Sequence, residues 1–292
     1  MTLTSFFEAI ATLAGFLFIV TSMLALGMSL TIPMIVQPLK NVRRVVLALF
    51  ANFVLVPLLA YVITLIIPLE PSLKIGLIVL ATAAGAPFLP KLAQIAKGNM
   101  AFSVGLMVLL MVTTIVYVPI VLPLLLPGVS VNPWDIAQSL IFLMLLPLAI
   151  GLVIKSSAPN TAAEYNPLMS KASSLSVLVL MVVGLGLKAS DILDLIGSGG
   201  MVALVLFVIG SLAIGLVLGG REAGTRSVLG LGTAQRNVSA AIVVSAQNFA
   251  GTNTLTFVLV AALVLLLILL PTARQLGRRV QEPAVPAAPT ES

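Results

Sequence analysis

The chain has 292 residues, 60% of them hydrophobic and 8% charged, with a mean hydropathy of +1.22 and a formal net charge of +6. A soluble domain is nearer 45–50% apolar and about 25% charged; this chain has too little charge to cover a water-facing surface, so the bilayer is its solvent. It has no Cys and no His, which excludes disulfides, thiol chemistry and imidazole as metal ligand or proton shuttle.

A spanning helix needs about 20 mostly apolar residues. The first such segment covers about 9–31; Met1 to Glu8 lacks the basic stretch of a secretory signal, so it is read as a mature helix. Segments follow at about 45–67, 73–97 and 101–126, with turn residues between them such as Pro68 to Ser72. Beyond Pro127 to Pro133 come about 134–154 and 172–188. After Gly197-Ser-Gly-Gly200 come about 200–220, 226–249 and 254–273. The expectation is an all-α integral membrane protein with nine transmembrane helices in one domain, roughly residues 1–273. Residues 274–292, rich in Pro and Ala, are expected to form a disordered tail.

Charge tests the count, because successive loops must alternate between faces. One face would carry Lys40, Arg43, Arg44, Lys97, Lys155, Lys171, Arg221, Arg226, Arg274, Arg278 and Arg279; the other only Lys74 and Lys188. The basic residues thus mark membrane orientation rather than a nucleic-acid surface. The carboxyl terminus is expected in the cytoplasm and the amino terminus outside, in a cell (inner) membrane.

Two segments are interrupted. The first holds Ala83-Ala-Gly85-Ala-Pro87-Phe-Leu-Pro90-Lys91, and its prolines remove backbone donors and crowd the preceding turn. The second holds Gly230-Leu-Gly232-Thr233-Ala-Gln235-Arg236-Asn237-Val-Ser239, a polar run in an apolar helix. A matched pair of broken helices, one in each half, is the sequence pointer to inverted repeats with a ligand site at mid-membrane. The repeats would cover about 9–126 and 134–273.

Arg236 lies roughly 15 Å along its segment, near the middle of a ~30 Å core, where a charge costs at least ~2.5–3.5 kcal/mol. Either it contacts a solute, or helix-end carbonyls satisfy it and it holds the broken helix together. Lys91, about 9 Å from the edge, either joins it or reaches the water by its long stem. All nine acids fall in loops, helix ends or tails, so no interior group stands ready to relay a proton.

At these broken helices the sequence resembles the bile acid:sodium symporter family. The resemblance is carried by Leu26-Gly-Met28-Ser-Leu30, Arg43-Arg44 and Ala51-Asn52-Phe53-Val-Leu-Val-Pro57. It continues through Ala96-Lys97-Gly98-Asn99 with Phe102-Ser103-Val104, and Gln235-Arg236-Asn237 with Ala240 and Gln247-Asn248-Phe249. The runs come in order, from about Phe16 to Arg274. The resemblance implies two inverted five-helix repeats, a core and a panel domain, and ion sites at the crossing helices. Bacterial members have ten helices, so this chain would lack the first.

The family's sodium ligands carry over poorly. Its Ser-Asn pair falls on Leu89 and Pro90, its glutamate on Gly232, its glutamine on Arg236 and a further glutamine on Asn52. Asn237 and Asn52 alone keep the expected polarity. A guanidinium thus stands beside a vacated sodium site and would repel Na⁺.

The reading that follows is a secondary transporter of small organic anions working by alternating access, not an enzyme, with no cofactor and no coupled sodium. Arg236, Asn237, Gln235, Thr233, Asn52 and Lys91 would bind the solute; Pro87, Pro90, Gly230 and Gly232 would supply the broken backbone. The alternatives are sodium symport through Asn237, Thr233 and Ser239, and a structural or sensory membrane protein that moves no solute.

Overall fold

The computed structural model describes residues 3–126, 132–187 and 197–279. All its regular structure there is helical. We label the main helices α1 (Leu3–Ser29), α2 (Val42–Ile66), α3 (Pro71–Thr82), α4 (Leu89–Ile95), α5 (Met100–Leu125) and α6 (Pro133–Ser157). There follow α7 (Pro159–Gly186), α8 (Gly200–Leu218), α9 (Ala223–Ala234), α10 (Val238–Asn248) and α11 (Thr254–Arg279). Among the described residues, α1, α2, α5, α6, α7, α8 and α11 are the seven helices long and apolar enough to cross a bilayer. The chain is an all-α integral membrane protein.

The expected segments 73–97 and 226–249 are each divided in two, as α3 with α4 and α9 with α10. Three ends differ from expectation, the first being that of α1, which begins at Leu3 rather than near residue 9. Helix α7 begins at Pro159 rather than near residue 172, because Pro suits a first helical turn and Ala162, Ala163, Glu164 and Met169 extend a helix outside the apolar stretch. Helix α11 continues to Arg279, into what reads as tail. Its last turns pack: Gly277 lies so close to α4 that a Cβ there would sit 2.6 Å from the Ile95 carbonyl oxygen. The rest of the expected tail, and Lys188, lie outside the described residues.

Helices α1, α6 and α7 pack chiefly on one another, forming the panel, while α2–α5 and α8–α11 form the core. Helices α1 and α6 touch backbone to backbone at Gly27 and Gly151, the close approach that small residues give membrane helices. A Cβ on Gly27 would stand 2.3 Å from the Leu148 carbonyl oxygen.

The segregation of charge has a structural counterpart. Arg44 pairs with Glu222 at 2.6 Å, and the Asn99 amide donates to Gly224 O at 3.1 Å, so the basic turns before α2, α5 and α9 meet at one end of the molecule. In the first turns of α3 and α11, Thr254 Oγ1 donates to Ser72 O at 3.1 Å.

Helices α2 and α6 each contain one π turn, at Ala51–Leu55 and Ile141–Leu145, followed by a proline, Pro57 or Pro147. Pro57 has no N–H to give Phe53 O, four residues earlier. The Tyr117 hydroxyl supplies that bond from α5 at 2.6 Å, its ring 4.7 Å from that of Phe53. Tyr117→Phe keeps the ring contact and removes only this donor, so it is expected to cost about 1–2 kcal/mol, read by thermal unfolding in detergent. The same π turn carries Asn52, fully buried, toward the core's interior.

Candidate functional site

A break in a membrane helix must be judged by where its freed backbone groups find partners. Helix α3 ends at Thr82 and α4 begins at Leu89. Between them Ala83 O accepts from the Asn237 amide at 2.9 Å, and Gly85 O accepts from Asn237 Nδ2 at 3.0 Å. Ala84 is held by one residue of α5: its amide donates to Thr114 Oγ1 at 2.9 Å, and the same hydroxyl donates to Ala84 O at 3.0 Å. Asn237 in turn accepts from the Ala240 amide at 3.1 Å, which caps α10. The two breaks therefore cross and are stitched together by Asn237.

Arg236 completes the junction. It is fully buried, the only buried charged side chain among the described residues. Its Nε donates to Leu80 O at 3.0 Å and its Nη2 to Ala81 O at 2.8 Å. Its Nη1 donates to Thr233 O at 3.1 Å and to Asn52 Oδ1 at 2.8 Å. Three of these oxygens are C-terminal carbonyls of α3 and α9, where the aligned peptide dipoles place partial negative charge. The amide that would close the helical bond to Thr233 O is that of Asn237, and it is turned to Ala83 O. A cation in a four-oxygen cage thus replaces the missing turns of two helices.

Asn52 is fixed as well: its Nδ2 donates to Ala48 O at 3.0 Å and to Thr233 Oγ1 at 3.3 Å. The structure therefore brings together Arg236, Asn237, Thr233 and Asn52. Gln235 adjoins them in the break, buried, with its Oε1 unpaired. Ser239 is buried in the first turn of α10. Lys91 is not brought into this group; it is exposed on α4, its Nζ 3.5 Å from Gln94 Oε1.

The backbone expectations need correction at two points. Gly230 and Gly232 lie inside regular α9, and the break falls after Ala234. They are contact glycines: a Cβ on Gly230 would meet Leu216, and one on Gly232 would meet Leu89. Pro87 does lie in the first break, whereas Pro90 sits in the first turn of α4, where its missing N–H costs nothing. Thr114 and the carbonyls of Leu80 and Ala81 escape sequence reasoning, since a Thr in an apolar helix and a backbone oxygen carry no distinctive signal.

Between panel and core lies a cavity of about 780 Å³, lined from α1, α6, α7, α10 and α11. Its walls include Phe16, Ile19, Leu180, Ile242 and Leu259, with Ser245, Gln247 and Thr256 among the polar groups. Arg236 is not among its lining residues.

The model of the Sodium Bile acid symporter family matches residues 15–195, more than half of the chain. The chain belongs to that family. Among the relatives of this chain are two Arabidopsis thaliana proteins described as probable sodium/metabolite cotransporters of the chloroplast. BASS3 is 23% identical over 194 residues, 66% of this chain and 45% of the relative. BASS1 is 24% identical over 245 residues, 81% of this chain and 59% of the relative. A rice BASS2, also described as a probable sodium/metabolite cotransporter, is 24% identical over 194 residues, 66% and 46% of the two chains. The chain thus spans about half the length of the curated relatives it matches. These relatives are described as transporters rather than enzymes. The family match includes the first break and ends before the second, where Arg236 lies.

Proposed function

We propose that this chain is a secondary transporter that moves small organic anions by alternating access without coupled sodium, its Arg236 guanidinium standing where an ion would otherwise bind. The observation that carries this reading is the enclosure of Arg236 by Asn52 Oδ1 and the carbonyls of Leu80, Ala81 and Thr233. Broken-helix carbonyls and half-helix C-termini are the groups with which such transporters hold Na⁺. Here a tethered positive charge satisfies them permanently, and a second cation would meet both repulsion and occupied oxygens.

The same charge argues for an anionic solute. No buried carboxylate accompanies Arg236 among the described residues, so its charge is offset only by the carbonyl and amide dipoles it bonds. The panel and core are separate packing units with a cavity between them, the arrangement that rocking of one against the other requires. The charge pattern supports a cell inner membrane location with the carboxyl terminus in the cytoplasm.

Sodium coupling is the second reading, favoured by the relatives' descriptions. Its ligands would be Thr233, Ser239 and Asn237, but Thr233 O and both polar side-chain atoms of Asn237 are already bonded. Uptake of a panel of labelled organic acids into proteoliposomes, with sodium replaced by choline at fixed membrane potential, separates the two. Unchanged initial rates are expected. A collapse of uptake in choline would establish sodium coupling, and no uptake of any acid would refute anion transport.

A further inference from the structure

Helix α4 stops with an unexpected residue. The Gly98 amide donates to Ala93 O at 2.8 Å and the Lys97 amide to Gln94 O at 3.2 Å, the paired bonds of a Schellman motif. That motif puts the first residue beyond the helix in the left-handed region, where glycine is the usual choice. Here the residue is Lys97, with φ of +51°, the one non-glycine residue of positive φ among the described residues. Orientation in the membrane asks for basic residues in this loop, but it does not ask for one in a left-handed stop. Strain of this kind persists where the side chain has a use.

The surroundings of Lys97 are cationic. The close seat of Gly277 against Ile95 and Ala96 lays the last turns of α11 along the end of α4. Arg278 follows that glycine directly, and Arg274 stands one turn before it. Lys97, Arg274 and Arg278 are all exposed, and none has an ion pair or side-chain hydrogen bond among the described residues. Of the core's two described acids, Glu222 is taken by Arg44 at 2.6 Å, and Glu70 lies before α3 at the other end. A backbone contact therefore gathers three like charges, and the described core offers them no free anion. Above them on α11, Leu263, Leu267 and Pro271 are exposed at four-residue spacing and continue into Arg274 and Arg278. An apolar stripe thus ends in two guanidinium groups where the apolar stretch of α11 gives out, the level of lipid headgroups.

We propose that Lys97, Arg274 and Arg278 form a binding site for the phosphate of an anionic phospholipid, whose acyl chain lies along Leu263, Leu267 and Pro271. The phosphate accepts from the ammonium and from both guanidinium groups, charge-assisted bonds that none of the three makes within the described protein. Bound there, it offsets their mutual repulsion and ties α4, one half of the first broken helix, to the end of α11. The stripe is what selects a lipid over phosphate in solution, since only a lipid covers it. The site is separate from the cavity and from Arg236, and it holds whatever solute the chain carries.

The test melts the purified protein in mixed micelles, with phosphatidylcholine alone or with part of it replaced by phosphatidylglycerol. Phosphatidylglycerol is expected to raise the melting midpoint by about 5 °C. Arg274→Gln with Arg278→Gln should remove most of that rise, and so, independently, should Lys97→Gly. In phosphatidylcholine alone, Lys97→Gly should instead melt about 2–4 °C above the native protein, because glycine suits the left-handed stop. One substitution then has two effects of opposite sign, which a lysine serving only to end α4 would not give. Lys155→Gln, on α6 of the panel, is the control and should keep the full rise. No rise with phosphatidylglycerol, a rise that survives in both cluster variants, or one lost equally in Lys155→Gln overturns the site. A Lys97→Gly midpoint at or below the native one in phosphatidylcholine overturns the part given to backbone strain. An equal rise from inorganic phosphate in phosphatidylcholine, at matched ionic strength, assigns the cluster to soluble phosphate and overturns the lipid.

Discussion

Arg236→Ala is expected to destabilise the purified protein by about 3–5 kcal/mol and to make it responsive to sodium. Truncation leaves Asn52 Oδ1, Leu80 O, Ala81 O and Thr233 O facing a void at the crossing of two broken helices. Leu80 O keeps a bond from the Ala83 amide at 3.2 Å, so its loss is partial. Ala81 O and Thr233 O receive from Arg236 alone among the hydrogen bonds of the described residues, and each unpaired buried acceptor costs about 1–3 kcal/mol. The void is lined by oxygens and is no longer positive, so a small cation can enter it. Sodium at about 100 times its dissociation constant would return roughly 2.7 kcal/mol. The measurement is thermal unfolding in detergent with sodium or choline chloride. The native protein should show no difference between the salts, and the variant should show saturable stabilisation by sodium. Arg236→Lys is expected to fall between the two, since one ammonium keeps the charge but cannot reach four oxygens in a planar fork. A variant as stable as the native protein, or equally indifferent to sodium, would show that the guanidinium is not what fills this cage.

The sequence made Arg236 conspicuous because a lone guanidinium at mid-membrane depth is an outlier by residue type alone. Its partners were illegible for a plain reason. Three of the four oxygens belong to the backbone, and whether Leu80, Ala81 or Thr233 has a free carbonyl depends on where each helix stops. That stopping point was legible on one side only. Pro87 marks the first break, but the second is set by Asn237, whose side chain caps α10 while its amide leaves α9 for Ala83 O. Gly230 and Gly232 looked like the weak point because glycine lowers helix propensity. In a membrane helix their use is close approach instead, and α9 runs through them unbroken. The spans themselves were legible to within a few residues wherever hydropathy alone defines them. Where α7 and α11 run past the apolar stretch, hydropathy no longer reports helix, and only capping and packing set the ends.

Gly85→Ala is expected to prevent accumulation of folded protein, with a cost above about 4 kcal/mol. Two independent penalties act at this position. Its backbone has φ of +80°, in the left-handed region that costs an L-residue about 1–2 kcal/mol. The larger penalty is steric, because a Cβ would lie 2.1 Å from the Met111 amide nitrogen and 2.6 Å from its Cα. Those are backbone atoms of α5, so no rotamer change relieves the contact, and the break has to move away from α5. Moving it strains both bonds between Ala84 and Thr114 and the bond from Asn237 Nδ2 to Gly85 O. Gly251 provides the control, with φ of +78° and nothing within 4 Å of its hypothetical Cβ. Gly251→Ala should therefore cost only the conformational part, about 1–2 kcal/mol. Monodispersity on size exclusion and thermal unfolding of the two variants side by side read the difference. Equal losses would mean that backbone conformation alone demands glycine at residue 85, and that the first break does not depend on its close seat against α5.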